Sequence, residues 1–182
     1  MVPLTTSRLL LQPLELADAV PAQALFPHWE IVRYLANQVR WPFPEDGCLA
    51  YYRDLALPAI ERGDEWHWSI RLKREPDQMI GSIALLRSTT NNRGFWLGIP
   101  WQGQGLMSEA ADVVTDYWFQ ELGFPELRVP KAAANRASSR ISQKNGMRLV
   151  ETKESDYVSG RLLTEVWEIT AEEWRAHRAL RA

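Results

Sequence analysis

The period of the hydrophobic pattern changes along the chain. In WHWSIRL, Trp66, Trp68, Ile70 and Leu72 alternate with His67, Ser69 and Arg71. A period of two predicts a strand with one apolar face. IGSIALL (80–86) and FWLGI (95–99) continue it, separated by turns at 74–78 and 89–94 whose residues favour turns. Residues 66–99 therefore read as an antiparallel meander. Before it, Arg8 to Leu14 predicts a first strand, and 15–36 predicts helical pieces broken by Pro21 and Pro27. Pro42 and Pro44 bar regular pairing in a loop at 37–46, and Pro58 is expected to kink or end a helix that begins near Glu45.

After the meander the period becomes helical, with Leu106, Ala110, Val113, Val114, Tyr117 and Leu122 on one side. LRVPKAA (127–133) predicts a strand, 136–145 a short helix ending at Gly146, and 147–157 and 161–169 two closing strands turned at Ser159-Gly160. The strand–helix–strand order predicts an α/β sheet that is mixed and parallel in part.

Composition narrows the class. A chain of 182 residues, 46% apolar and 24% charged, fits one domain spanning 1–182 and excludes overall disorder. The net charge of −2 disfavours a dedicated nucleic-acid binder. A single cysteine, Cys48, excludes an internal disulfide and a cysteine-based zinc cluster. Apolar runs fall short of the roughly 18 residues of a membrane span, and MVPLTTSRLL has no leader pattern. A cytoplasmic protein is expected, with no metal and no membrane partner.

The chemistry concentrates between Pro100 and Ala110. Gly103 and Gly105 stand between a strand and a helix start, where glycine permits positive φ and close approach of a ligand. The first amides of a helix lack internal partners and, with the helix dipole, attract anions. Pro100 has no N–H, so pairing must fail where the FWLGI strand ends, leaving a slot for an extended, amide-bearing ligand. Neither G-x-G-x-x-G nor G-K-[ST] is present. Arg128, Lys131, Arg136, Arg140, Lys144 and Arg148 follow without an acidic residue between Leu127 and Val150. They read either as a solvated face or as a basic rim for further phosphates. Asn135 is placed to cap the short helix, with Ser138 in its first turn.

FWLGIPWQGQGLMSEA followed by NRASSRISQKNGM resembles the GNAT acetyltransferase superfamily, in its branch of ribosomal-protein alanine N-acetyltransferases. TSRLLLQPL, WHWSIRL and IGSIALL extend the resemblance over nearly the whole chain. The resemblance implies a mostly antiparallel twisted sheet of about seven strands, helices on both faces, and a splayed central strand pair. It implies acetyl-CoA as co-substrate and a primary amine as acceptor, such as a ribosomal or other protein N-terminus. A small amine and a CoA-binding module without catalysis remain rival readings, and a homodimer is left open.

The family's acetyl-CoA signature falls on Gln102, Gly105 and Met107, with Met107 standing where a small residue is usual. By resemblance the amides from Gln102 through Gly103, Gln104, Gly105 and Leu106 to Met107 hold the pyrophosphate, and Ser108 belongs to the same cofactor-binding stretch. The backbone of Leu97, Gly98 and Ile99 pairs with the pantetheine arm, and Asn135 and Ser138 lie beside the thioester. Similar enzymes place a serine at the Ser138 position as general acid. Asp156, in the ESDYVSG turn, is the expected base, an exposed turn carboxylate being the plainer reading. Glu109 reads as a helix N-terminal acid, His67 as structural, and Cys48 as a buried helix residue. Trp29, Tyr34, Trp41, Trp66 and Trp68 belong either to the acceptor groove or to the core.

Overall fold

Two antiparallel sheets meet along one seam in the computed structural model, which describes residues 1–181. The first runs in sequence order through β1 (Leu4–Thr5), β2 (Leu9–Pro13), β3 (Glu65–Leu72), β4 (Glu75–Leu86) and β5 (Arg93–Leu97). The second has the order β6 (Glu126–Ala132), β8 (Gly160–Thr170), β7 (Arg148–Tyr157). Every ladder is antiparallel. The parallel pairing expected from the strand–helix–strand order forms no ladder; α5 (Leu106–Gln120) carries the chain across the seam from β5 to β6.

That seam is closed at one end only. The Asn92 N–H donates to the Arg128 carbonyl at 2.8 Å, and the Arg128 N–H donates to Asn92 Oδ1 at 2.8 Å. Beyond this point no main-chain bond joins β5 to β6 among the described residues, so the strands part toward Leu97 and Ala132.

The alternation in β3 sorts two cores. Trp68, Ile70 and Leu72 pack with Leu9, Leu11 and the buried face of α5, namely Leu106, Ala110, Ala111, Val114 and Trp118. On the other side, α1 (Ala19–Leu25) and α3 (Gly47–Tyr51) contribute Ala19, Ala22 and Cys48 to a smaller cluster with Met79. Helices therefore cover both faces. The polar face of β3 lies beneath that second layer: Ser69 is buried, Arg71 pairs with buried Asp18 at 2.6 Å, and His67 meets Glu65 at 2.5 Å. His67 is thus a satisfied structural residue.

Four elements depart from the sequence reading. The helix begun by α3 runs through a π turn (Tyr52–Ala56) into α4 (Leu57–Glu61) rather than ending at Pro58. The wider turn lies over Asp54, the carbonyl that the Pro58 ring would strike, and so absorbs the proline. The turn expected at 74–78 is only Lys73-Arg74, because β4 begins at Glu75. Pro76 is tolerated there because the β3–β4 register shifts between Ile70 and Leu72 and leaves the ladder broken. Two elements were not anticipated, the short β1 and the closing helix α7 (Ala171–Ala179). Thr170 and Glu173 form a reciprocal capping box at the start of α7, whose Trp174 is buried in the main core.

Candidate active site

The open end of the seam is built by what happens after Leu97. The Gly98 N–H still reaches β4, at the Ile80 carbonyl (2.8 Å). Pro100 then sits in a 3-10 turn (Ile99–Trp101) that turns the backbone out of the sheet. The Gln102 side chain folds back to the Leu97 carbonyl at 2.8 Å and its N–H bonds Ile99 at 3.2 Å. Gln102 therefore braces the turn, and the free amides begin one residue later.

Gly103 and Gly105 take φ values of 75° and 77°. Such angles cost an L side chain roughly 1–2 kcal/mol, so glycine is required twice in three residues. Gly105 caps α5, and among the described residues the N–H groups from Gly103 to Ser108 have no acceptor. The stretch Gly103–Gly105 is exposed while Leu106 and Met107 are buried in the core. Met107 consequently packs inward and leaves its amide clear, which explains how a large residue fits this position.

The opposite lip is α6 (Arg136–Lys144). Asn135 caps it as expected, its Oδ1 accepting the Ser138 N–H at 3.2 Å. Ser138 is mostly buried, yet its hydroxyl has no hydrogen-bond partner among the described residues. Its carbonyl accepts from Lys131 Nζ at 3.1 Å, and Lys131 also donates to the buried Ser142 hydroxyl at 2.6 Å. Ser139 donates to Glu165 on β8 at 2.7 Å. The first turn of α6 is therefore fixed to β6 and β8 around a free hydroxyl.

The basic rim is smaller than expected. Lys131 is buried beneath α6, where burial pushes its ammonium well below the usual lysine range, Arg93 adding to this and Glu165 opposing it. Arg128 is engaged by Glu168 (2.9 Å) and Glu151 (2.7 Å), and Arg148 by Glu173 (2.6 Å). Arg136, Arg140 and Lys144 alone remain exposed along α6. A contiguous cationic stripe requires one surface, and strand register and ion pairing divide this one.

Asp156 lies in β7 rather than in a turn, exposed and opposite Arg161. Alternation puts it on the sheet face of Glu165 and Lys131, the face that α6 covers. Its neighbour Tyr157 points to the other face, where its hydroxyl meets buried Thr164 at 2.7 Å. The tip of the β7–β8 hairpin docks on the segment after α2 (Trp29–Val32) through Val158 N–H to Leu35 (3.0 Å) and Ser159 N–H to Arg33 (3.2 Å).

The tryptophans divide. Trp66 and Trp68 belong to the core, whereas Trp29 and Trp41 stack against each other with centroids 5.4 Å apart and about 40% of their surface exposed. Cys48 is buried, and burial raises its thiol to about 11, so it is unreactive at neutral pH.

Glu109 carries more than a helix-terminal role. Its carboxylate accepts from the Thr6 and Ser7 hydroxyls, the Arg8 N–H (2.8 Å) and Arg8 Nε (2.7 Å). Burial pushes its pKa up, but the bonds from Thr6, Arg8 and Ser7 outweigh that and bring it down to about 2. Separated by about a hundred residues, this knot has no local signature.

The residue set suits a nucleotide thioester: free amides for a diphosphate, a slot between two strands for an extended arm, and an unpartnered hydroxyl at the far lip. A family model described as an acetyltransferase (GNAT) domain matches residues 8–148. The chain belongs to the GNAT acetyltransferase family. Members are acyl-CoA-dependent N-acyltransferases, and the co-substrate of this GNAT protein is acetyl-CoA. Its curated relatives include a probable N-acetyltransferase, YjcK, of Bacillus subtilis (strain 168), 29% identical over 48% of this chain and 50% of that protein. An uncharacterized N-acetyltransferase of the same organism, YnaD, is 25% identical over 80% of this chain and 82% of that protein.

Solved structures share the fold at low identity. RimL, a ribosomal alpha-N-protein acetyltransferase in complex with coenzyme A, superposes with a TM-score of 0.79 at 14% identity, over 93% of this chain and 98% of that one. A ribosomal-protein alanine acetyltransferase from Vibrio fischeri gives 0.78 at 16% identity, over 96% and 99%. MccE, a microcin self-immunity acetyltransferase in complex with acetyl-CoA and AMP, gives 0.74 at 14% identity, over 91% and 93%. Among the described residues no helix of this GNAT protein is long and apolar enough to cross a membrane, and no cluster of His, Cys, Asp and Glu could hold a metal ion.

Proposed function

We propose that the protein transfers the acetyl group of acetyl-CoA to the α-amine of a protein N-terminus by direct attack in a ternary complex. The observation that carries the transfer reading is the one-ended seam: β5 and β6 part beside six unengaged amides at Gly103–Ser108. In this reading those amides and the α5 dipole hold the diphosphate. The edge at Leu97, Gly98 and Ile99 pairs with the pantetheine arm, and Asn135 and Ser138 sit beside the thioester.

A neutral amine attacks the thioester carbonyl, a C–N bond forms and the C–S bond breaks. The amine proton leaves to a base and the thiolate gains a proton. Ser138, whose hydroxyl is unengaged, donates to the leaving sulfur. Asp156 accepts the amine proton through water, from the sheet face on which α6 lies. A backbone N–H at the parted edge of β5 stabilises the oxyanion.

The protein acceptor draws support from the ribosomal-protein acetyltransferases among the structural neighbours. A second reading, a small amine, draws support from MccE. A thiol-release assay with N-terminal peptides, polyamines, amino sugars and amino acids separates them. Release with peptides and acetylation at their α-amine is expected. Release with small amines alone would overturn the acceptor. Coenzyme A binding with no release by any acceptor would overturn the transfer reading. Asp156→Asn is expected to lower turnover at neutral pH with coenzyme A affinity unchanged; full turnover in that variant removes Asp156 as the base.

A further inference from the structure

We propose that Arg8 is a diphosphate ligand, clamped over the cofactor loop by Glu109. The inference rests on reading Gly103–Ser108 as the diphosphate loop. Arg8 precedes β2 and is half-exposed, yet its guanidinium is held on two edges. Nε donates to Glu109 Oε2 at 2.7 Å and Nη1 donates to the Gln104 carbonyl at 3.1 Å. Nη2 has no protein partner among the described residues, and it lies 3.6 Å from where a Cβ on Gly105 would stand. The third edge of the fork is therefore free at the residue that caps α5, beside the amides that have no acceptor.

The anchoring is heavier than a surface ion pair needs. Glu109 takes four donors from three consecutive residues, Thr6, Ser7 and Arg8. A carboxylate in the first turn of α5 would by itself repel an anion bound at the same helix start. Arg8 offsets that charge and turns a planar donor edge outward, the geometry that suits phosphate oxygens. Gly105 keeps the approach open, since any side chain there would meet Nη2 first.

The test compares coenzyme A with pantetheine, which lacks the diphosphate, by displacement and tryptophan fluorescence on the whole protein. Arg8→Met is expected to weaken coenzyme A about tenfold, the discount from a buried ion pair reflecting its half-exposed side chain. Pantetheine affinity is expected to stay unchanged, and the coenzyme A affinity of the variant is expected to fall less with added salt than that of the parent. Unchanged coenzyme A affinity overturns the proposal. So does a loss of coenzyme A affinity that leaves its salt dependence as in the parent, the result of a strap that only supports the loop. Should Arg8→Met not fold, Arg8→Lys is read by the same two-ligand comparison. Gly105→Val is the control for the loop: wild-type coenzyme A affinity there would sink the loop itself, whereas loss there with none in Arg8→Met removes Arg8 alone.

Discussion

Asn92 and Arg128 pin β5 to β6 by two bonds of 2.8 Å, one from each main-chain N–H. Asn92 is buried, and its amide also donates to the Leu86 and Ser88 carbonyls at 3.2 and 2.5 Å. Asn92→Ala leaves the Arg128 N–H and the Ser88 carbonyl without their protein partner at the closed end of the seam, while the Leu86 carbonyl keeps the Ser88 N–H. A stability loss of about 2–4 kcal/mol is expected, together with weaker coenzyme A binding as the strands lose their hinge point. Urea unfolding and a coenzyme A titration check both effects.

Gly105→Val places a β-branched side chain at φ 77°. Strain of about 1–2 kcal/mol follows, and the branched carbons cover the amides that face the ligand. Coenzyme A affinity is expected to fall by more than tenfold while the fold survives, as circular dichroism and a binding titration would report.

Ser138→Ala removes a hydroxyl that holds nothing in the fold, while the backbone bond to Asn135 stays. The melting temperature and coenzyme A affinity are expected to hold. Turnover is expected to fall about ten- to a hundredfold, at the lower end of what a positioned acid contributes. Full activity would take Ser138 out of the reaction.

Glu109, held at about 2, is charged in the fold over a range where the unfolded carboxyl, near 4.5, would protonate. Its contribution is therefore complete above about pH 4.5 and is lost as pH falls toward 2. Glu109→Gln is expected to melt below the parent at neutral pH, with the gap narrowing through that acidic window. A gap of constant size would contradict the four-donor knot.

Lys131 has the opposite pH sign. Burial disfavours its ammonium, so the unfolded chain keeps this proton toward pH 10.5 while the folded chain releases it earlier. Stability from this group rises with pH across that interval. Relative to Lys131→Met, the parent is expected to gain in melting temperature as pH rises from neutral toward 10.5. A difference that does not change with pH would mean Lys131 stays charged.

What could be read before the structure was whatever is written locally. Trp66 to Leu72 alternate over seven residues, Pro100 forbids an N–H, and Asn135 lies three residues before the amide it caps. Each is a short-range constraint. The Arg8–Glu109 pair spans about a hundred residues and has no local trace. The cationic stripe misled because Lys131 belongs to β6 and Arg136 to α6, and burial separates them. The closing helix is different: Thr170-Ala-Glu-Glu173 is a capping box written locally, directly after the strand that it ends. For Asp156 the sequence marks the hairpin, but strand length decides whether it sits in a bend or on a ladder, and the ladder runs through Tyr157.

The β7–β8 tip is latched to the segment after α2 by the main-chain groups of Val158 and Ser159, with carbonyls of Leu35 and Arg33 as receivers. Because no side chain takes part in those two bonds, residues at the tip can be exchanged without unfastening it. The tip can thus be rewritten letter by letter while its fastening and the parted strands at the open end of the seam stay untouched.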